Sequence, residues 1–121
     1  FRFERSLASL SIVELKGLKV PYTYLVQLRR PIGLHVVEGV QGGVFVQSIK
    51  ANSGAASSRL IQVGDEVVSM SASWGGRMWD VRSVESFVVG VSMRSDSNLT
   101  LQLRRVIPLQ DYIIRRLGKQ Q

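Results

Sequence analysis

Apolar and polar positions alternate along Tyr22, Tyr24, Val26 and Leu28 against Thr23, Leu25 and Gln27, which predicts a strand over 22–28. Pro31 and Gly33 interrupt it, and Leu34-His35-Val36-Val37-Glu38 forms a second apolar run. Gly39-Val40-Gln41-Gly42-Gly43 is a turn signal, so this run pairs as a hairpin with the third strand, Val44-Phe45-Val46-Gln47-Ser48-Ile49. Asn52-Ser53-Gly54 opens a loop, and Ala55 to Leu60 predicts one or two helical turns. A break at Val63-Gly64-Asp65 leads to a fourth strand over Glu66 to Met70. Gly75-Gly76 marks a turn before a very short strand at Met78-Trp79.

Over 82–94 the period changes. Val84, Phe87, Val88 and Val91 sit at i, i+3, i+4 and i+7, one apolar stripe of a helix. Ser83 is placed to cap it, with Glu85 in the first turn, while Gly90 weakens it by about 1 kcal/mol against alanine. Leu99-Thr100-Leu101-Gln102-Leu103 alternates as the last strand of the body. Hairpin-linked strands with the longer helix placed late predict an α+β fold: a partly open antiparallel sandwich or barrel of five to six strands with two helices.

The flanks differ from this body. Residues 1–20 read equally as a short helix or an extended arm, and Pro21 punctuates the chain after them. At the other end, Tyr112, Ile113, Ile114 and Leu117 predict a short amphipathic helix over 110–117, with Asp111 placed to cap it and Gly118 to stop it. The organisation expected is an N-terminal basic extension over 1–21, a body over 22–105 and a C-terminal basic amphipathic extension over 106–121.

Composition narrows the chemistry. The 121 residues include no cysteine and one histidine, His35, which excludes disulfides, thiolate nucleophiles and multi-histidine metal sites. Sixteen basic residues against nine acidic ones give +7, carried by the ends: residues 1–30 and residues 104–121 each net +4, and the middle nets −1. Cationic ends on a near-neutral body suit an acidic partner or an anionic membrane surface better than a nucleic-acid groove. No apolar run reaches the roughly 18 residues of a membrane span. The start at Phe1 reads as a processed form or an excerpt, so the sequence does not report its own address.

Catalytic motifs are missing. The single imidazole falls inside a predicted strand, the carboxylates Glu38, Asp65, Glu66, Asp80, Glu85 and Asp96 are scattered, and no phosphate or dinucleotide loop occurs. A non-enzymatic protein without metal or cofactor is expected. The informative stretch is Arg29-Arg30-Pro31-Ile32-Gly33-Leu34-His35-Val36. Glycine lets the amides of Ile32, Gly33 and Leu34 turn toward one small volume, a nest for an anion, while Arg29 or Arg30 adds a longer-range cation. An anion held at the start of a strand suits a peptide's terminal carboxylate, the rest of the peptide pairing along the strand edge.

In order and spacing, residues 22–105 resemble the PDZ family. Pro31-Ile32-Gly33-Leu34 stands where that family has Gly-Leu-Gly-Phe, and Ala55-Ala56 followed by Leu60 or Ile61 through Gly64-Asp65 is similar to its small helix and Leu-x-x-Gly-Asp. The resemblance implies a ligand between strand 34–38 and helix 82–94. Ile32, Leu34 and Val36 would line the pocket for its last side chain, with Val88 and Val91 facing it from the helix. Pro31 replaces the first loop glycine, at the position whose amide is dispensable. The first groove-facing helix position, histidine in members that read Ser/Thr ligands, is here Val84, or Ser83 or Glu85 one register away. An apolar or undemanding ligand position is therefore expected there. His35 is expected to face solvent or the groove rim.

The run from Gly64-Asp65 through Ser71-Ala72, Trp74-Gly75 and Met78-Trp79 is also similar to a pattern in plastid PDZ proteins of plants and algae. Some of those attach to thylakoid membranes and assist photosystem II assembly and repair. Two roles follow as expectations. One is an adaptor that binds a partner's C-terminal tail or extended segment, on the stromal face of the thylakoid in the chloroplast. The alternative is a structural subunit or assembly factor docked on a membrane complex through its basic flanks, the groove unused.

Overall fold

A computed structural model describes residues 17–71, 77–93 and 98–120. The readings made above for residues 1–16, for Trp74 with Gly75-Gly76, and for Asp96 lie outside them. The elements run β1 (Lys19–Leu28), β2 (Leu34–Glu38), β3 (Val44–Ile49), α1 (Gly54–Ser58), β4 (Glu66–Ser71), β5 (Trp79–Asp80), α2 (Val84–Ser92), β6 (Leu99–Pro108) and α3 (Leu109–Gln120). The six strands form one sheet in the order β1-β6-β4-β3-β2, with β5 paired to β4. The chain divides into two units, one of Thr23–Arg105 and one of Phe1–Tyr22 with Val106–Gln121.

Boundaries move for identifiable reasons. Strand β1 starts at Lys19 and runs through Pro21, which was expected to end a preceding segment. β1 lies at the edge of the sheet, where a residue without an N–H leaves no ladder bond unmade. Strand β6 continues past Leu103 to Pro108, and α3 starts at Leu109. Asp111 is consequently in the first turn of α3 and not its cap, and Gly118 lies within the helix rather than ending it. Helix α2 is shorter than 82–94, since Ser83 is its N-cap and Met93 its C-cap. Asn52-Ser53-Gly54 does more than open a loop: the Ser53 hydroxyl accepts from the Ala56 amide at 3.2 Å and caps α1.

The core follows the alternation. Leu28, Val44, Val46, Val67, Met70, Leu99, Leu101 and Leu103 are fully buried, each pointing inward from its strand. Helix α2 closes this core with Phe87 and Gly90. A Cβ on Gly90 would stand 2.6 Å from the Met70 sulfur and 3.1 Å from the Trp79 ring. The glycine that weakens the helix by itself is thus the one that lets it sit close on β4. Ser83 and Ser86 form a reciprocal capping box at the start of α2.

A buried polar cluster ties β1 and β6 to the segment that leads into β4. Arg105 Nη2 donates to Asp65 Oδ2 at 2.6 Å, to the Leu60 carbonyl at 2.5 Å and to the Tyr24 hydroxyl at 3.1 Å. Tyr24 in turn donates to Asp65 Oδ2 at 2.5 Å. Arg105 was counted among the basic charges of the C-terminal flank, and Arg104 with it. Arg104 instead pairs with Glu66 at 2.7 Å, so both belong electrically to the body. The flank keeps Arg115, Arg116 and Lys119 against Asp111.

Candidate functional site

The outer edge of β2 can be read from its pairing with β3. The Lys50 amide donates to the Gly33 carbonyl at 2.8 Å, so that carbonyl faces β3 although the Gly33 amide makes no return bond. Leu34, opposite Ile49, is then a non-hydrogen-bonded position, and its N–H and C=O point away from β3. A bulge at Gln47 resets the register, so that Val36 faces Val46 and Val37 faces Phe45. The Gly39 amide bonds the Gly43 carbonyl at 2.9 Å at the turn. Counting back from there by two, Val37 pairs inward, and Val36 turns its backbone groups outward as Leu34 does. β2 is the last strand of the sheet and α2 lies against it.

In the loop before β2 the carbonyls of Pro31, Ile32 and Gly33 are occupied. Pro31 and Ile32 accept from the amides of Gly54 and Ala55 at 2.8 and 3.0 Å, and Gly33 accepts from Lys50. The amides of Ile32 and Gly33 have no hydrogen-bond partner among the described residues. Gly33 has φ +76°, the left-handed region that glycine adopts without strain. A Cβ there would collide with Ser53 Cβ and Oγ, so this glycine is required on its protein side.

Among the residues expected at the site, Leu34, Val84 and Val91 are partly buried against the core, and Val88 is 53% exposed. Val84, Val88 and Val91 share one face of α2. Ile32 and Val36 belong to the core itself, so their side chains form floor, and what they present outward is backbone. His35 is exposed, on the opposite side of β2 from Val36. It lines an open depression of about 570 Å³ with Gly33, Leu34, Ser48, Ile49 and Lys50.

The two arginines are already engaged. Arg29 Nη2 donates to the Ser57 hydroxyl on α1 at 2.9 Å. Arg30 donates to the carbonyls of Val91 at 2.6 Å and Met93 at 3.0 Å, at the C-terminal end of α2. Opposite it, Glu38 Oε1 accepts from the Val84 amide at 3.1 Å, at the helix N-terminus. Both straps follow the helix dipole, a cation on the last carbonyls and an anion on the first amides. Sequence reasoning missed Glu38, Lys50 and Ser53 as parts of this region. Only Ser53 carried a local signal, a serine two residues ahead of the pair Ala55-Ala56. The other two depend on how α2 and the loop pack.

No protein-family model matches the chain. Phosphoglucan phosphatase LSF1 of Arabidopsis thaliana, named chloroplastic, is 31% identical over 78 residues, which is 60% of this chain and 13% of that protein. A second Arabidopsis thaliana protein, also named chloroplastic, is 32% identical over 57 residues, 47% of this chain and 17% of its own length. The chain thus spans no more than 17% of either curated relative. Among solved structures, the PDZ2 domain of Dlg1 from the choanoflagellate Monosiga brevicollis has a TM-score of 0.55 at 22% identity, covering 68% of this chain and 90% of that one. The N-terminal PDZ domain of InaD, solved in complex with a NorpA C-terminal peptide, gives 0.53 at 19% identity and covers 70% of this chain and 98% of its own.

Proposed function

We propose that this chain, which has the PDZ fold, is an interaction module that holds the C-terminal tail of a partner protein between β2 and α2. The observation that carries the reading is the conjunction of unpaired loop amides with an unpaired strand edge. The amides of Ile32 and Gly33 lack partners among the described residues, and Leu34 and Val36 turn their backbone outward beside the apolar face of α2. A terminal carboxylate at Ile32–Leu34 satisfies the donors, and the peptide adds a strand to β2. Valines on α2 and the half-buried Leu34 offer only apolar contact, so the ligand's last and third-last side chains are apolar. Binding, not catalysis, is the activity. A peptide array with free and amidated C-termini tests this: binding requires the free carboxylate, and equal binding of amidated peptides overturns it.

The setting we propose is the chloroplast, which the chloroplastic names of both Arabidopsis relatives support. The resemblance of the stretch from Gly64 to Trp79 to plastid PDZ proteins, some of which attach to thylakoids, is what supports the finer reading, peripheral attachment on the stromal face beside a photosystem.

One observation favours a second reading, attachment through the flanks. On α3, Ile113, Ile114 and Leu117 are 48%, 66% and 54% exposed, with Arg115 and Arg116 beside them. An apolar stripe turned outward among arginines suits an anionic partner or membrane surface. Changing Ile113, Ile114 and Leu117 together to serine in the full chain separates the two. Lost membrane attachment with intact peptide binding favours the flank, and unchanged attachment removes it.

A further inference from the structure

The side chains at the two ends of α2 reverse the charge polarity that the helix alone would give the groove. A bare helix places partial positive charge at the Val84 end and partial negative charge at the Val91 end. For a ligand whose carboxylate sits at the loop before β2, as the proposed binding mode has it, that sense is unfavourable, because the ligand's anion would face the helix's negative end. Arg30 puts a full cation on the carbonyls of Val91 and Met93, and Glu38 puts a full anion on the Val84 amide. Lys50, exposed and bonded through its amide to Gly33, adds a second cation at the carboxylate end.

Register decides which ligand residue meets Glu38. Leu34, Val36 and Glu38 lie on one side of β2, and directly opposed residues of an antiparallel partner point the same way. With the ligand's last residue opposite Leu34, the third from last stands opposite Val36 and the fifth from last opposite Glu38, about 13 Å along the strand. Resting on the groove reading above, we propose that Glu38 selects a lysine or arginine at the fifth position from the ligand's carboxyl end. The module then reads chain ends that are anionic at the tip and cationic one short stretch before it. Glu38 Oε1 is held by the Val84 amide, and its other carboxylate oxygen has no partner among the described residues. Glu85, in the first turn of α2, carries the same sign, while Arg82 opposes it and stands 3.6 Å from Asp80.

Two N-acetylated hexapeptides with free carboxyl ends test the selection on the full chain. Both have valine at the last and third-last positions and alanine elsewhere, with lysine in one and glutamate in the other at the fifth from last. In about 50 mM salt the lysine peptide binds about twofold to fivefold more tightly, and about 0.5 M salt closes the gap. Moving the lysine one place toward the end turns it to the other side of the strand and removes its advantage. Glu38→Gln retains an oxygen for the Val84 amide, so the fold is kept and the two peptides bind equally. Equal affinities on the unaltered protein overturn the selection and leave the groove reading standing. A gap that survives Glu38→Gln overturns the role of Glu38. Absence of any carboxylate-dependent binding takes down the groove reading and the selection together.

Discussion

An arginine and a carboxylate occur together in two regions of this molecule and do different work in each. Arg105 and Asp65 meet at 2.6 Å with side chains 12% and 3% exposed, inside the sheet. Arg30 and Glu38 do not meet, and each faces the backbone at one end of α2 beside the candidate groove. Burial makes the first pair a matter of stability, because a charge out of water must keep its partner. Glu38 is exposed and Arg30 only half-buried, which leaves them less leverage on folding, yet their field extends into the space where a ligand would lie. The same two chemical groups are structural when dry and selective when wet.

The sharpest way to break this comparison is to remove one member from each region. Asp65→Ala leaves the Arg105 guanidinium buried with the Tyr24 hydroxyl and the Leu60 carbonyl but no anion, and is expected to cost about 3–5 kcal/mol. Arg30→Gln at the end of α2 costs less than about 1 kcal/mol and instead weakens peptides with a free carboxylate. Urea titrations followed by tryptophan fluorescence give both values. Similar midpoint shifts for the two variants mean that burial does not separate the regions.

Gly33→Val sits between them in size. Its φ of +76° is strained for a branched residue, and the new side chain collides with buried Ser53. A loss of about 1–3 kcal/mol follows. Because the collision is with the protein and not with the ligand's side of the loop, lost peptide affinity accompanies lost stability. Full stability with lost affinity would show that the loop meets the ligand through that face after all.

What could be read from the chain depended on whether neighbours in sequence settle it. The stripe Val84, Val88 and Val91 and the Ser83 cap are local, and α2 stands where their spacing puts it. The Gly39–Gly43 turn likewise joins β2 and β3 as its glycines indicate. Pro21 misled because its tolerance comes from being on a sheet edge, which only strand order reveals. Arg104 and Arg105 look like part of a basic tail because Glu66 and Asp65, their partners, lie 38 and 40 residues away. The straps at Arg30 and Glu38 were invisible for the same reason, since each spans more than 40 residues to reach α2. Around α2, then, the helix stripe and the hairpin turn were legible and the charge pairings were not.

A loss smaller than that of Asp65→Ala isolates the dry region by pH. Burial pushes the Tyr24 phenol well above its ordinary value, and the hydrogen bond it donates to Asp65 pushes it the same way. Hydrogen bonds to Tyr24 and Asp65 outweigh burial in Arg105 and hold that guanidinium charged. In the unfolded chain the phenol titrates near about pH 10. Below that pH both states keep the proton, so the contribution of Tyr24 to stability is full and constant. Above it the unfolded state loses the proton first, and stability falls by up to about 1.4 kcal/mol per pH unit until the folded phenol also titrates. Tyr24→Phe costs about 1–2 kcal/mol at neutral pH through the lost bond to Asp65. Its stability falls less steeply between about pH 10 and 11, by the equivalent of about half a proton rising toward one. Glu38→Gln and Arg30→Gln leave that slope as it is, because neither touches the cluster that sets it. A slope unchanged by Tyr24→Phe would mean that this phenol is as wet as the groove, and that the two regions do not differ in the way their charges are held.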